Sequence, residues 1–229
     1  MYNTLPTQVK AFLKTTQDIQ GFVGYSAAHN AVIAAFRGTV DIKNWLANID
    51  FKQVAYSKCG GCMVHDGFYN AYAEVSAIVK GQVQLILNKY RTAAIYVTGH
   101  SLGGALATIA ALDIKTTFGK VDQFYSYGEP RVGNGAFAAY FEAQMPVYRV
   151  IHYADIVPHV PPLGLNNYTH GGQQLWYAEN MQTYKACTAE DATCSNSLPK
   201  NALNTNDHQL TTYLQMPTNL IQMLGLRRD

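Results

Sequence analysis

Charge is the scarcest feature of this sequence. Only 14% of its 229 residues are Asp, Glu, Lys or Arg, against about 25% in an ordinary soluble domain. Lys+Arg 17 against Asp+Glu 15 leaves a net charge of +2 with no basic stripe, which argues against nucleic acid as a partner. No apolar run approaches the roughly 18 residues needed to span a membrane, so no transmembrane segment is expected. The opening Met1-Tyr2-Asn3-Thr4-Leu5-Pro6 lacks the basic-then-apolar layout of a signal peptide. The chain is thus expected to be cytosolic, or a mature form whose signal was replaced by Met1. Repeats, low-complexity tracts and linkers are missing as well, so one domain over residues 1–229 is expected. With 48% hydrophobic residues the chain is not disordered, and at this size a full core forms without staples.

Cysteine is sparse but grouped. Cys59, Cys62, Cys187 and Cys194 allow three pairings, and proximity in sequence favours Cys59–Cys62 and Cys187–Cys194. Disulfides, together with the sparse charge and 16 Tyr, point to a secreted protein. Two other uses of Cys59-Gly-Gly-Cys62 stand beside this one. A redox pair needs a helix N-terminus to activate one thiol, which Gly60-Gly61 discourages. A zinc site of Cys59, Cys62 and His65 lacks a fourth ligand at finger spacing. One glycosylation sequon, Asn167-Tyr168-Thr169, is present.

Hydrophobic periodicity predicts strands over residues 21–26 and 31–37, joined as a hairpin by Ala27-Ala28-His29-Asn30. From 70 to 90, Tyr72, Val75, Ile78, Val79, Val83 and Ile86 recur at helical spacing. Residues 93–98 form a short unalternating apolar run suited to a strand buried on both faces. A helix is predicted over 102–114, strands over 123–127 and 147–153, irregular chain after 178, and a short closing helix over 219–226. Alternating strands and helices imply an α/β protein with a mostly parallel, helix-covered sheet.

Between the buried strand and the next helix stands Gly99-His100-Ser101-Leu102-Gly103-Gly104, a Gly-x-Ser-x-Gly nucleophile elbow in its strand–turn–helix setting. A serine on so sharp a turn projects its oxygen above the sheet edge, and side chains two positions either side would collide. The helix behind Ser101 aims N–H groups at developing negative charge. Serine needs a histidine held by a carboxylate, in the chain order Ser, acid, His. Among downstream carboxylates, Asp113 lies in a helix, and Asp122, Glu190 and Asp191 read as solvated loop charges. Asp155 directly follows a predicted strand, where α/β sites are built, and is the expected acid. His159, within the Pro-bounded stretch 157–162, and His170, before Gly171-Gly172, are both candidates for the base. His208, late in the chain after Asn204-Thr205-Asn206-Asp207, ranks first.

These residues do not stand alone. Phe36-Arg37-Gly38-Thr39, Val64-His65-Asp66-Gly67-Phe68, residues 98–104, Gly128-Glu129-Pro130-Arg131-Val132-Gly133, Asp155-Ile156-Val157-Pro158, His170-Gly171-Gly172 with Trp176, and Asp207-His208 follow one another in family order. In these segments, from about residue 20 to 215, the chain resembles the fungal-type triacylglycerol lipases, the class 3 lipase family. The resemblance implies an α/β-hydrolase fold with a short helical lid. It also implies Ser101 as nucleophile, Asp155 as acid, His208 as base, and an oxyanion hole from Thr39 and the N–H of Leu102. Arg131 and His65 look architectural in that family. Many members tie their chain ends with a further disulfide that this chain cannot form. Its cysteine pairs resemble those of the feruloyl esterase branch.

The segment after Thr39 bears on substrate. Ile42, Trp45, Leu46 and Ile49 fall on one stripe of a short helix, with Asp41, Lys43, Asn44, Asn48 and Asp50 opposite. Over residues 40–51 this suits a lid that turns its apolar side to lipid. The expected function is a triacylglycerol lipase working at an oil–water interface through an acyl-enzyme, as a monomer, with no metal or organic cofactor. The competing readings are a feruloyl esterase-like hydrolase of soluble aromatic esters and an inactive lipid-binding module.

Overall fold

The computed structural model describes residues 7–14 and 19–214; the helix expected over 219–226 and the tail Arg227-Arg228-Asp229 lie outside them. The strands are β1 (Thr7–Lys14), β2 (Ile19–Ser26), β3 (Ala31–Phe36), β4 (Gln53–Ala55), β5 (Met63–His65), β6 (Ala94–His100), β7 (Gln123–Tyr127), β8 (Gly133–Asn134), β9 (Tyr148–His152), β10 (Tyr168–Thr169), β11 (Gln173–Tyr177) and β12 (Tyr184–Cys187). The α-helices are α1 (Ile42–Asn48), α2 (Asp66–Lys89), α3 (Leu102–Phe118), α4 (Gly135–Gln144) and α5 (Leu210–Leu214).

The large sheet runs in the order β1-β2-β3-β6-β7-β9-β11-β12. Its centre, from β3 through β11, is parallel. Antiparallel pairs close both edges, β1-β2-β3 on one side and β12 on the other. A four-stranded antiparallel patch, β10-β8-β5-β4, carries the segment after α1 into α2.

Helix α2 starts where the His65 side chain accepts the N–H of Phe68, four residues before the periodicity alone indicated. Asp66 in its first turn and Lys89 in its last complement the helix dipole. Its buried stripe is Phe68, Ala71, Tyr72, Val75, Val79, Val83 and Ile86. Ile78, expected on that stripe, is instead 37% exposed. Val75, Val79, Val83 and Ile86 are completely buried, each contributing roughly 1.5–3 kcal/mol. Helix α3, rich in Ala and buried from Gly103 through Leu112, packs between α2 and strands β3, β6 and β7. Phe141 of α4 meets Phe124 of β7 edge to face, 5.0 Å apart, so α4 covers the same side of the sheet.

Strand β6 therefore differs from its sequence reading. Ile95 and Val97 face the helices and are buried, whereas Tyr96 and Thr98 on the opposite face are only half-buried. The run after residue 178 is not wholly irregular either, because residues 184–187 pair with β11. Fold and function connect at the carboxyl ends of β6, β7 and β9, where chain reversals gather the polar residues described next.

Candidate active site

Ser101 stands between β6 and α3 with φ 60° and ψ −131°, a conformation L-residues rarely adopt. Its N–H donates to the Tyr127 carbonyl of β7 at 2.9 Å, which fixes the turn. The flanking glycines are required: a Cβ on Gly99 would lie 2.1 Å from the Gly103 carbonyl oxygen, and one on Gly103 would lie 2.2 Å from that of Phe36. Ser101 is fully buried, and its Oγ has no hydrogen-bond partner.

Asp155 and His208, 53 residues apart, are brought together beside it. The His208 Nδ1 lies 2.8 Å from Asp155 Oδ2 and 3.0 Å from Oδ1. With the proton on Nδ1, the other nitrogen, Nε2, is bare; it too is buried and unpartnered. Asp155 is completely buried and accepts two further bonds, from the Val157 N–H at 2.8 Å and from the Tyr213 hydroxyl at 2.5 Å. Burial opposes its ionisation, but His208 and these donors outweigh that and hold its carboxyl below the usual carboxylate range. Asn204 links the acid loop to the histidine loop. Its backbone bonds Ala154 and Ile156, and its side-chain oxygen accepts the N–H groups of Asn206 and Asp207. Neither Tyr213 nor Asn204 was singled out from the sequence.

The loop Arg37-Gly38-Thr39 lies against Ser101: a Cβ on Gly38 would come 2.7 Å from that of Ser101. Arg37 pins the loop by bonds to the Gln20 side chain at 2.5 Å and the Gly38 carbonyl at 3.1 Å. Leu102 opens α3, and the first N–H groups of a helix have no partner within it. A cleft of about 830 Å³ adjoins these residues, its walls including Phe22, Phe36, Thr39, Val40, Ile42 and His208. Helix α1, capped by Asp41, is shorter than the 40–51 segment expected. Its stripe faces the body of the protein and is half-buried, with Trp45 stacked over Phe68 and Ile49 against the core, while Asp41, Lys43, Asn44 and Asn48 are exposed.

The other candidates stand outside the triad. His170 donates from Nε2 to the Pro158 carbonyl at 2.9 Å, while His159 keeps a buried Nε2 with no partner, and it is His208 that bonds both oxygens of Asp155. Burial pushes the His170 and His159 imidazoles toward the neutral form. His65 donates to the Asp50 carbonyl at 2.7 Å while capping α2, so it anchors the end of the segment that carries α1. Glu190 is not a solvated charge: both its oxygens pair with the buried Arg131 at 2.8 Å. Cys59–Cys62 and Cys187–Cys194 are disulfides. That leaves no thiolate for zinc at His65, and none beside Asp191, which lies close to the Cys187–Cys194 bond.

Comparison with known proteins agrees with this architecture. Residues 33–165 match the family model described as lipase (class 3). The chain is 34% identical to a lipase of Rhizomucor miehei over 83% of its own length and 54% of that protein. It is 37% identical to secreted mono- and diacylglycerol lipase 1 of Fusarium solani over 73% of its length and 50% of that protein. It thus spans about half the length of these curated relatives. A solved structure of Rhizomucor miehei triacylglyceride lipase superposes with a TM-score of 0.79 at 32% identity, covering 87% of this chain and 77% of that one.

Proposed function

The chain belongs to the class 3 lipase family, with its α/β-hydrolase fold, and from that premise we propose that it is a secreted serine ester hydrolase acting on triacylglycerols at an oil–water interface. One observation carries the reading: Ser101 Oγ and His208 Nε2 are buried and unpartnered at the carboxyl end of a parallel sheet, with Asp155 holding the far side of the imidazole. In an unliganded site the bond between nucleophile and base is often long, and it tightens with substrate.

The steps follow from these groups. Ser101 Oγ attacks the ester carbonyl while His208 Nε2 takes its proton. Asp155, kept ionised by its donors, orients the ring and stabilises the imidazolium. The N–H of Leu102 and the N–H and hydroxyl of Thr39 receive the tetrahedral oxyanion. His208 returns the proton to the departing alcohol, and water then repeats the sequence on the acyl-enzyme.

Exposed apolar side chains around the α1 segment support a lipid substrate. Val40 is 40% exposed beside α1, while Leu163 and Leu165 are 55% and 40% exposed. Asn166 bonds the Phe51 carbonyl, so this second loop adjoins the end of the α1 segment. Residues 40–51 then act as a lid whose inward stripe is exchanged for lipid contact. Two disulfides, and a relative named as secreted, support an extracellular site of action.

The test is a rate curve against tributyrin, with fluorophosphonate labelling of the purified protein. The expected results are a label on Ser101 and a jump in rate past the solubility limit. A labelled protein that cleaves methyl ferulate and ignores glycerides would overturn the substrate; an unlabelled, inert one would overturn the enzyme.

A further inference from the structure

His100, the residue between Gly99 and Ser101, has no part in the proton transfers above, yet its ring is built into the site. Its Nε2–H donates to the backbone carbonyl of His208 at 2.9 Å, across 108 residues of sequence. The two imidazoles stack with centroids 4.5 Å apart and planes 26° from parallel. Tyr213, which bonds Asp155, meets the His100 ring from another side, edge-on at 5.4 Å. The remaining nitrogen, Nδ1, looks toward the Arg37-Gly38-Thr39 loop, where a Cβ on Gly38 would be 3.3 Å away. One side chain thus touches the base, the partner of the acid and the proposed oxyanion loop.

From these contacts, and resting on the proposed serine-hydrolase reading, we infer that His100 is a positioning residue that holds His208 at the angle from which Nε2 reaches Ser101. The argument is one of constraint. Asp155 fixes the His208 ring at Nδ1, and the His208 N–H bond to the Thr205 carbonyl at 3.3 Å anchors the entering backbone. That leaves rotation of the ring about its carboxylate bond, and the carbonyl side of the residue, to be held. The His100 stack opposes that rotation, and its bond to the His208 carbonyl holds the other side. Position matters here because a misplacement of about 1 Å can cost on the order of 10²-fold in rate.

The second imidazole serves this purpose only while it is uncharged, since a cation there would repel the imidazolium that forms on His208. Burial and the adjacent His208 lower the His100 ring to about 3. The bond to a carbonyl also places its one proton on Nε2, because a carbonyl only accepts. The groups placed against His208 are then Asp155 at Nδ1, this neutral ring stacked on it, and Gly128, where a Cβ would lie 2.9 Å from the imidazole.

Three substitutions separate the two contacts. His100→Gln keeps a donor near the Nε2 position and loses the ring; His100→Phe keeps a ring and loses the donor; His100→Asn loses both. Each is assayed on a soluble nitrophenyl ester and for its rate of fluorophosphonate labelling, with thermal midpoints measured in parallel. The expected result is a kcat about 10²-fold lower for Asn, intermediate values for Phe and Gln, KM within about twofold throughout, and labelling rates that follow kcat rather than the thermal midpoint. If Asn does not fold, the Phe and Gln variants decide alone, each being expected at least about fivefold below wild type in kcat. Variants within twofold of wild type, or losses that fall on KM or track the midpoint, would overturn the inference while the labelled wild type still upholds the hydrolase. A wild type that takes no label would remove both.

Discussion

Glu129 offers a sharp test of how burial sets charge in this fold. It is 3% exposed, behind the elbow, with its Cβ 3.1 Å from where a Cβ on Gly104 would be. The hydroxyls of Ser126, at 2.5 Å, and Thr108 donate to its two oxygens. These donors and the charge of Arg149 favour the carboxylate, but burial prevails and raises its pKa from 4.5 to about 7. A carboxyl raised in this way keeps its proton in the fold at pH values where the unfolded chain has released it. Its contribution to stability is therefore full below about 4.5 and is lost as pH rises through about 7. At about 1.4 kcal/mol per pH unit, the loss across that window is roughly 3 kcal/mol. Glu129→Gln keeps the shape and removes the titration. In urea unfolding between pH 4.5 and 8, the wild type should lose about 3 kcal/mol relative to the variant, and the gap should level off above about pH 7.5. Buried histidines such as His65 and His170 contribute a slope of opposite sign, which is common to both proteins and cancels in the difference. Parallel curves for the two proteins would mean that Glu129 is ionised in the fold throughout, and the desolvation argument would be wrong.

Further outcomes follow from the site. Ser101→Ala should lower kcat on the order of 10⁶-fold with little change in thermal midpoint, because residues that act as a unit fail together; a tenth of wild-type turnover would remove Ser101 from the mechanism. Thr39→Val should lower kcat on a soluble ester by about 10²–10³ through loss of a hydroxyl donor, and an unchanged kcat would leave the oxyanion hole to backbone alone. Tyr213→Phe leaves the His152 N–H without its acceptor and takes a donor from Asp155. The expected cost in urea unfolding at pH 7 is about 1–3 kcal/mol, and no cost would mean the pocket refills those bonds. Trp45→Ser should weaken the tributyrin jump and spare a short-chain nitrophenyl ester, whereas equal losses on both would make α1 ordinary packing.

Much of this arrangement is legible where local pattern and tertiary role coincide. Strand β7 lies on the residues its pattern marks, and β9 within one residue at either end: β7 buries Phe124 and Ser126 in alternation, and β9 is buried from Arg149 through His152. Gly99 is readable since its reason is local, a clash with the Gly103 carbonyl four residues on, whereas Gly103 is required by the Phe36 carbonyl of β3. Strands β4, β5, β8 and β10 span two or three residues and carry no periodicity at all. Helix α4 begins at an Asn134 cap, whose side chain accepts the Phe137 N–H, and is absent from the elements the sequence predicts. Tyr213 and Glu129 are illegible for another reason. A tyrosine becomes the third donor to a carboxylate 58 positions away only when the fold delivers it there. A glutamate in a Gly-Glu-Pro turn looks solvated until α3 covers it. Glu190 misleads in the same way, as its partner Arg131 lies 59 residues off.

The backbone at Ser101 has a consequence for anyone who breeds this protein. Holding φ at 60° costs a side-chain-bearing residue on the order of 1–3 kcal/mol, and glycine alone escapes that cost. A library ranked by heat resistance or expression yield will therefore favour Ser101→Gly, a more durable and inert protein. Only a screen that demands turnover at every round keeps the serine in place.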